Sequence, residues 1–223
     1  MSNQKKPQKS KKRWPTKAVM HQIYEKSMWG GAEFDFYSGD GSHTLSLVNP
    51  YVDVVKEFLK GFEASITVCD LGCGDFNVGH QLVNFTNEYF AIDIVDDLIE
   101  RNKLVYKNEN LTFKSLDICK DNVPKADLVM LRQVLQHLSN AEILEVTAKL
   151  QGYKYLIITE HIPSFGFRPN ADLVTGQGNR LKLESGVVIT ENPFNLKPLR
   201  EETLLELPVD SKSILKTILY QNF

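Results

Sequence analysis

Five apolar segments recur between residues 66 and 159, and helix-like segments lie between them. Each is continuously apolar rather than alternating between apolar and polar residues. Such strands, when helices join them, are typical of a parallel sheet that is covered on both faces. The predicted strands are 66–70, 88–94, 111–116, 127–131 and 155–159, and the predicted helices are 18–28, 50–62, 77–85, 96–103 and 140–150.

The C-terminal residues follow a different pattern. Segments 203–209 and 213–220 are separated by Asp210-Ser211-Lys212, and this arrangement predicts a β-hairpin. Together with the five apolar strands, it predicts a doubly wound α/β fold. The sheet should have seven strands, mostly parallel, and should end in an antiparallel hairpin.

The chain divides into three parts by composition. Residues 1–17 form a Lys/Pro/Ser/Gln-rich tail that we expect to be disordered, residues 18–62 carry helices and a lid-like loop, and residues 63–223 form the α/β domain. An apolar content of 42% and a mean hydropathy of -0.26 are typical of a soluble globular protein. No apolar run is long enough to span a membrane, so we expect a cytoplasmic protein. The sequence does not predict the oligomeric state.

Charge is distributed unevenly along the chain. The first 17 residues carry seven basic residues and no acidic one, and the remaining 19 basic residues oppose 28 acidic residues. Proteins that bind nucleic acid usually spread positive charge over a docking face. Nucleic acid is therefore an unfavoured partner, although the basic tail leaves RNA or an anionic surface open as an alternative to a solvated terminus.

The run Asp70-Leu71-Gly72-Cys73-Gly74 lies where the first predicted strand ends. Glycine lets the backbone approach a ligand closely, and a following helix N-terminus supplies unpaired N–H donors. Cys69 and Cys73 have the spacing of a metal pair, but no further Cys or His cluster joins them. We therefore expect free cysteines and no metal.

Polar residues also follow the next three predicted strands: Asp93, then Asp117-Ile118, then Arg132 to His137. In a doubly wound sheet, ligands bind outside the carboxyl ends of the strands. The four strand ends therefore predict one ligand site along this edge.

Residues 60–160 resemble the class I S-adenosylmethionine-dependent methyltransferases of bacterial small-molecule type. The resemblance implies that Asp70, Gly72, Cys73 and Gly74 face the amino-acid part of S-adenosylmethionine. It implies that Asp93, with Ile94, binds the ribose hydroxyls and that Asp117 and Ile118 contact adenine. Arg132 and Gln133 would begin the segment that closes on the methionine end.

One position departs from the family pattern, since Phe76 stands where a third glycine is expected. A nicotinamide cofactor would also use an acid in the position of Asp93, but its Gly-x-Gly-x-x-Gly motif would need glycine at Asn77. The residues after the third and fourth strands favour the methyl donor.

Two histidines follow strands of this edge. His137 comes after the fourth strand, and His161 comes with Glu160 after the fifth. A histidine pKa near 6.5 suits a general base that accepts a proton from a hydroxyl. We therefore predict His137, His161 and Glu160 as catalytic residues. The alternative is that His137 packs its ring or caps a turn.

Residues 29–43 combine aromatic residues with Gly, Ser and Asp. One interpretation is a lid in which Tyr37 and Ser42 close over the cofactor, since aromatic faces stabilise a ligand cation. The alternative is a hydrophobic plug between the N-terminal helix and the sheet.

Segment 163–200 lacks regular patterns and leaves the strand-five edge, so we expect it to be an insertion that builds the acceptor site. Its polar residues could bind a polar or phosphorylated substrate; they are Arg168, Asp172, Asn179, Arg180 and Asn195. Alternatively, Arg168 and Asp172 form a surface ion pair of small energetic consequence.

The predicted function is methyl transfer from S-adenosylmethionine to a small polar acceptor, most simply an oxygen of a sugar-like metabolite. One alternative is an RNA or protein methyltransferase that uses the basic tail. Another is a regulator that binds the cofactor without catalysis.

Overall fold

A computed structural model describes residues 14–222 of the 223-residue chain. The prediction that the basic tail is disordered therefore concerns mainly residues outside the described part of the chain. Thr16 and Lys17, which the sequence assigned to the tail, already belong to the first helix.

Residues 14–222 form five α-helices and seven strands. The helices are α1 (Thr16–Glu25), α2 (Asp40–His43), α3 (Leu45–Lys60), α4 (Asp96–Val105) and α5 (Asn140–Leu150). The strands are β1 (Thr67–Leu71), β2 (Glu88–Asp93), β3 (Leu111–Ser115), β4 (Leu128–Arg132), β5 (Tyr155–Pro163), β6 (Arg200–Pro208) and β7 (Ser213–Gln221).

The strands form one sheet in the order β3-β2-β1-β4-β5-β7-β6. Strands β1 to β5 are parallel, and β7 runs antiparallel between β5 and β6. The prediction of a doubly wound, seven-stranded sheet with a C-terminal antiparallel hairpin is confirmed. The order reverses between β1 and β4, so their carboxyl ends flank the crevice where such folds bind ligands.

The core lies on both faces of the sheet because neighbouring residues of each strand point to opposite sides. Cys69 packs in a cluster with Ile23 of α1 and Val146 of α5, whereas Val68 packs in a cluster with Val55 of α3. Helices therefore cover both faces, as the continuous apolar strands predicted.

The helix predicted over 50–62 begins five residues earlier, as α3, and two other predicted elements differ more from the structure. The predicted helix 77–85 is wrong, since the chain there makes two short 3₁₀ turns, Gly79–Gln81 and Val83–Phe85. Their bonds span three residues, with Leu82 N donating to Gly79 O at 2.9 Å and Phe85 N to Leu82 O at 3.0 Å.

The second difference is the length of the fifth strand. It continues to Pro163 because β7 pairs with it along nine residues. Glu160 and His161 therefore lie within the strand rather than after it, and their side chains point to opposite faces.

Candidate active site

A cavity of about 300 Å³ lies at the carboxyl edge of the sheet. The ends of β1, β2 and β4, the residues after β3, helix α1 and two long loops border it. One half lies over β1, β2 and β3, and we name it the β1–β3 side. The other half lies over β4 and β5, and we name it the β4–β5 side.

The glycine loop after β1 borders the cavity with Gly72, Cys73 and Gly74. Gly72 and Gly74 have positive φ of 81° and 55°, which favours glycine. A Cβ on Gly74 would lie 2.3 Å from Ser38 Oγ, and one on Gly72 would lie 2.4 Å from Val134 Cγ2. The glycines are thus required by the packing of neighbouring segments as well as by the left-handed backbone.

Phe76, which replaces the expected third glycine, also has a positive φ, of 65°. Its ring is fully buried and makes edge contacts with Tyr89, Tyr106 and Phe113 at 4.9–5.6 Å. The apolar burial of this ring offsets the backbone strain, so the departure from the family pattern leaves the loop intact.

Asp70 does not border the cavity. Its carboxylate lies beneath the glycine loop, where the Tyr89 hydroxyl donates to Oδ2 at 2.9 Å. It borders a second void of only about 30 Å³ together with Arg132. Burial raises the pKa of Asp70 to about 7. The predicted contact of Asp70 with a ligand in the cavity therefore does not follow from the structure.

Asp93 and Ile94 do border the cavity at the end of β2. The Asp93 carboxylate accepts hydrogen bonds from Gly74 N at 3.1 Å and from Val95 N at 3.0 Å. Burial raises its pKa, while these backbone donors oppose that shift. Asp93 thus ties the glycine loop to β2 and presents a carboxylate edge to the cavity.

Asp117 and Ile118 border the same side of the cavity. Asp117 Oδ1 accepts from Cys119 N at 3.0 Å, and Ile118 O accepts from Lys149 Nζ at 2.9 Å. Helix α5 therefore fixes the loop after β3 through Lys149. The structure brings the predicted ribose and adenine residues together on the β1–β3 side.

The loop between α1 and α2 covers the glycine loop and is held there by polar contacts. Ser38 N donates to Asp75 Oδ2 at 2.8 Å, and Asp75 N donates to Ser38 Oγ at 2.8 Å. His43 Nε2 lies 2.6 Å from the same carboxylate, and Asn77 Nδ2 donates to Ser42 O at 2.7 Å. Polar contacts thus fix residues 29–43, which we call the lid, over the glycine loop, while Trp29 and Phe36 pack against the apolar core as the plug interpretation expects.

Of the two predicted lid residues, only Ser42 borders the cavity. The Tyr37 hydroxyl donates to Asp40 Oδ1 at 2.6 Å, and its ring stacks on His43 at 4.3 Å, away from the cavity wall. The aromatic residues that do border the cavity are Tyr24 and Trp29. Sequence reasoning missed Tyr24 because nothing local shows that α1 folds over the carboxyl edge, and within residues 29–43 it named Tyr37 rather than Trp29.

Arg132 and Gln133 lie where the two sides meet. Arg132 Nη2 donates to Gly41 O at 2.6 Å, and its guanidinium lies 4.9 Å from the centre of the Tyr51 ring. Its buried Nε has no hydrogen-bond partner among the described residues. Gln133 has a positive φ of 57° and packs against Gly41. Both border the cavity, and Arg132 also bonds to the loop that covers it.

His137 borders the β4–β5 side, where its ring lies 5.0 Å from that of Trp29. Its Nδ1 lies 3.0 Å from Gly178 O, and its Nε2 lies 3.2 Å from the side-chain nitrogen of Gln136. Burial lowers the pKa of His137 to about 4. Both ring nitrogens are thus occupied, and the ring is neutral at physiological pH.

His161 borders the cavity, but Glu160 does not. Glu160 is 4% exposed, its Oε1 accepts from Leu135 N at 3.1 Å, and its Oε2 has no partner among residues 14–222. Burial raises the pKa of Glu160 to about 8. The predicted contact of Glu160 with a substrate therefore does not follow from the structure, because strand alternation turns its side chain away from the cavity.

Segment 163–200 borders the cavity through Gln177 and Asn179. Arg180, proposed as a substrate reader, is wholly buried instead. Its guanidinium donates to four backbone carbonyls and one side chain, namely Ala171, Leu135, Gln136, Leu138 and Asn140 Oδ1, at 2.8–3.2 Å.

The other polar residues of this segment lie outside the cavity wall. Asp172 Oδ1 accepts from Asn140 N at 2.8 Å, and Asn195 Nδ2 donates to Pro193 O at 3.1 Å. Arg168 is exposed. The predicted pair of Arg168 and Asp172 is not among the ion pairs of the described residues.

Cys69, Cys73 and Cys119 are free thiols. Across residues 14–222, no group of three or more His, Cys, Asp or Glu side chains is arranged to hold a metal ion. The helices of this part of the chain include none that is long and apolar enough to cross a membrane.

No protein-family model matches the chain, and no curated protein sequence matches it significantly. Solved structures do match its fold. Magnesium protoporphyrin IX methyltransferase from Synechocystis PCC 6803, with S-adenosylmethionine bound, is 15% identical, with 95% of this chain and 100% of that one covered and a TM-score of 0.57.

Two further structures are similar over nearly the whole chain. The N-methyltransferase NodS from Bradyrhizobium japonicum WM9, in complex with S-adenosylhomocysteine, is 11% identical, with 92% and 98% of the chains covered and a TM-score of 0.59. The N-terminal domain of EvdMO1, in the presence of S-adenosylhomocysteine and D-fucose, is 12% identical, with 95% and 98% covered and a TM-score of 0.56. The chain therefore has the class I methyltransferase fold, as its sequence predicted.

Proposed function

We propose that the protein transfers a methyl group from S-adenosylmethionine to a hydroxyl oxygen of a small, neutral, sugar-like acceptor. One observation carries the proposal. A single cavity has seven of the predicted cofactor residues on its β1–β3 side and uncharged polar and aromatic residues on its β4–β5 side; the seven are Gly72, Cys73, Gly74, Asp93, Ile94, Asp117 and Ile118.

The β1–β3 side fits the cofactor in its donors and acceptors. Asp93 would accept hydrogen bonds from the ribose hydroxyls, and Asp117 with Ile118 would hold the adenine. The cofactor supplies an electrophilic methyl group. Gly72 to Gly74 and Arg132 would bind and orient its amino-acid part, and the lid would exclude water.

The β4–β5 side supports a neutral acceptor. Trp29 supplies an apolar face, and Gln136, Gln177 and Asn179 supply amide groups there. Burial lowers the pKa of both His137 and His161, so that their rings favour the neutral form. Arg180 could have bound a phosphate, but its guanidinium donates its hydrogen bonds to backbone carbonyls. We therefore propose segment 163–200 as the acceptor-site insertion, selective for uncharged hydroxyl compounds.

Positioning would be the main contribution of the protein to the reaction. Aligning two reactants in one cavity can lower a barrier by roughly 7–11 kcal/mol. The EvdMO1 domain, of the same fold, was solved in the presence of D-fucose. D-fucose is therefore a suitable test acceptor for this chain.

The test combines binding with an acceptor panel. We expect calorimetry to show binding of S-adenosylmethionine and S-adenosylhomocysteine. We expect a coupled assay of S-adenosylhomocysteine release to respond to neutral sugars, including D-fucose, and not to their phosphate esters. Faster turnover with sugar phosphates than with the neutral sugars would contradict the neutral acceptor.

The RNA or protein alternative is tested by deleting residues 1–13. A longer deletion to residue 17 would also remove Thr16, which borders the cavity. An effect of that deletion could then come from either the tail or the site. We expect the deletion to leave turnover of the small acceptor within about twofold. Binding of RNA or a protein substrate that is lost with the tail, and that weakens steeply with salt, would support the alternative.

A non-catalytic regulator would bind S-adenosylmethionine but release no S-adenosylhomocysteine with any acceptor class. The same panel, extended to RNA and peptides, separates this alternative from an enzyme.

A further inference from the structure

The turn of the lid that contains Asp40 crosses the crevice between the ends of β1 and β4. On one side of this turn, Ser38 N donates to Asp75 Oδ2 at 2.8 Å, in the loop after β1. On the other side, Gly41 O accepts from Arg132 Nη2 at 2.6 Å, at the end of β4. Asp40 lies between these two attachments and borders the cavity. It is therefore placed where the strand order reverses, which is where such sheets bind ligands.

Few of the Asp, Glu, Lys and Arg side chains border the cavity. Within residues 14–222 they are the carboxylates of Asp40, Asp93 and Asp117 and the guanidinium of Arg132. Asp93 is held by two backbone N–H groups. Asp117 is held by one backbone N–H group and by Lys120 Nζ at 2.6 Å. These two acids are also the ones that the cofactor's ribose and adenine require, so the role of Asp40 is left to be assigned.

The Asp40 carboxylate has spare capacity to accept hydrogen bonds. The Tyr37 hydroxyl donates to Oδ1 at 2.6 Å, and Asp40 has no ion-pair partner in the part of the chain that the structure describes. The hydrogen bond to Asp40 raises the pKa of Tyr37 to about 12, so Tyr37 remains the donor at neutral pH. An ionised carboxylate only accepts, through both of its oxygens. Oδ2 of Asp40 is thus available to a ligand.

The methionine part of S-adenosylmethionine carries one ammonium and one carboxylate group. Arg132 and Asp40 carry the opposite charges at the same cavity, and the lid connects them because Arg132 bonds to the residue after Asp40. The family resemblance implied that Asp70 faces this part of the cofactor, but Asp70 does not border the cavity. An ammonium group that leaves water without an acceptor is costly to bind. Asp40 is the acid in position to accept from it.

We propose that Asp40 binds the α-ammonium group of S-adenosylmethionine while Arg132 faces the carboxylate, so that the lid supplies part of the cofactor site. This assignment rests on the proposed function. Tyr37 is a positioning residue, which fixes the Asp40 carboxylate through Oδ1. The site then selects S-adenosylmethionine and S-adenosylhomocysteine over adenosine derivatives that lack the ammonium group.

The test compares the Kd of S-adenosylhomocysteine with that of its deaminated form, measured by calorimetry at fixed ionic strength. We expect the wild type to bind the deaminated form about tenfold more weakly, because a charge-assisted hydrogen bond is lost. In Asp40→Asn, S-adenosylhomocysteine should bind about tenfold more weakly, while the Kd of the deaminated form changes by less than about twofold. The ratio of the two Kd values should therefore approach one in this variant.

Asp35→Asn is the matched control. Asp35 is a second exposed carboxylate of the lid, which pairs with Arg101 at 2.8 Å and does not border the cavity. Loosening of the lid in this variant should weaken both ligands by the same factor, within about threefold, and leave the ratio unchanged. Tyr37→Phe should lower the ratio by about threefold, because the Asp40 carboxylate loses the hydroxyl that fixes it.

An unchanged ratio in Asp40→Asn would overturn the assignment. A loss of affinity for S-adenosylmethionine alone, with S-adenosylhomocysteine unaffected, would also overturn it, because the carboxylate would then face the sulfonium. Asp40 is exposed, so we expect Asp40→Asn to fold, and urea unfolding checks this. Equal affinity of the wild type for the two forms contradicts the assignment without any variant.

Failure of the proposed function would give a different result. A wild type that binds neither S-adenosylmethionine nor S-adenosylhomocysteine contradicts the function, and the Asp40 assignment with it. A wild type that binds both, with a ratio that Asp40→Asn does not change, contradicts the assignment alone.

Discussion

The two sides of the cavity are built in different ways. On the β1–β3 side, the predicted cofactor residues that border the cavity stand at or just after the end of a strand, and Asp93 is bonded to the backbone of Gly74 and Val95. On the β4–β5 side, Trp29, His137, His161 and Asn179 come from four distant parts of the chain. The first side is a local consequence of the strands, and the second exists only after the chain has folded.

This difference has an energetic counterpart. The β1–β3 side is supported by short-range hydrogen bonds from loops of the central strands. The β4–β5 side depends on Arg180, whose buried guanidinium joins segment 163–200 to the residues after β4. A buried charge that satisfies several carbonyls is costly to remove because each carbonyl is left without a donor.

The largest expected effect follows from removing the Arg180 guanidinium, which links segment 163–200 to the residues after β4. We expect Arg180→Met to lower the free energy of unfolding by about 3–5 kcal/mol, measured by urea denaturation. Arg168→Met removes an exposed arginine of the same segment and should change the free energy of unfolding by less than about 0.5 kcal/mol. Equal effects in the two variants would show that the β4–β5 side does not depend on the buried guanidinium.

The next effect separates the two sides by ligand affinity. Asp93→Ala should weaken binding of S-adenosylmethionine by about 100-fold, or about 2.7 kcal/mol, because a carboxylate acceptor is lost and Gly74 N is released. Asn179→Ala, on the β4–β5 side, should change the Kd by less than about threefold. Calorimetry measures both. Wild-type affinity in Asp93→Ala would contradict the cofactor site.

A smaller effect tests the packing of the lid on the glycine loop. A methyl group on Gly74 would lie 2.3 Å from Ser38 Oγ, whereas one on Gly178 would meet nothing within 4 Å. We expect Gly74→Ala to cost about 2 kcal/mol in unfolding free energy, through strain and displacement of the lid. Gly178→Ala should be close to neutral. Thermal or urea unfolding measures the difference.

The smallest effect concerns pH. Burial raises the pKa of Glu160 from its ordinary value of 4.5 to about 8, so the folded protein retains a proton that the unfolded chain releases between these values. The stability this proton contributes is complete below pH 4.5 and is lost as pH rises through 8.

Glu160→Gln is neutral at all pH values and retains an acceptor for Leu135 N. We expect the variant to gain about 1 kcal/mol or more of stability relative to the wild type between pH 5 and 8.5. Urea titrations across this range provide the measurement. Parallel stability curves for the two proteins would mean that the Glu160 carboxyl ionises at its ordinary pKa in the folded state.

Several residues show why prediction from sequence succeeded on one side and failed on the other. Asp93 and Asp117 were predicted because a parallel sheet brings its carboxyl strand ends to one edge. Tyr37 and Tyr24 are both aromatic residues near the N-terminus, and only the fold decides that Tyr24 borders the cavity. Glu160 and His161 are adjacent in sequence, yet strand alternation places only His161 at the cavity. The charge of Arg180 made it a candidate for binding a phosphate group. In the structure its guanidinium is buried and donates to backbone carbonyls instead.

The sequence by itself determined the sheet, its antiparallel hairpin and the positions of Asp93, Ile94, Asp117 and Ile118 at strand ends that border the cavity. These depend on hydrophobic pattern and on the position of a residue relative to its own strand, and both can be read locally. The tertiary structure alone decided the β4–β5 side, the contacts of the lid and the partners of each histidine. Those features depend on which distant segments meet, because a hydrogen bond or a buried charge acquires its role only from the groups that folding brings within reach.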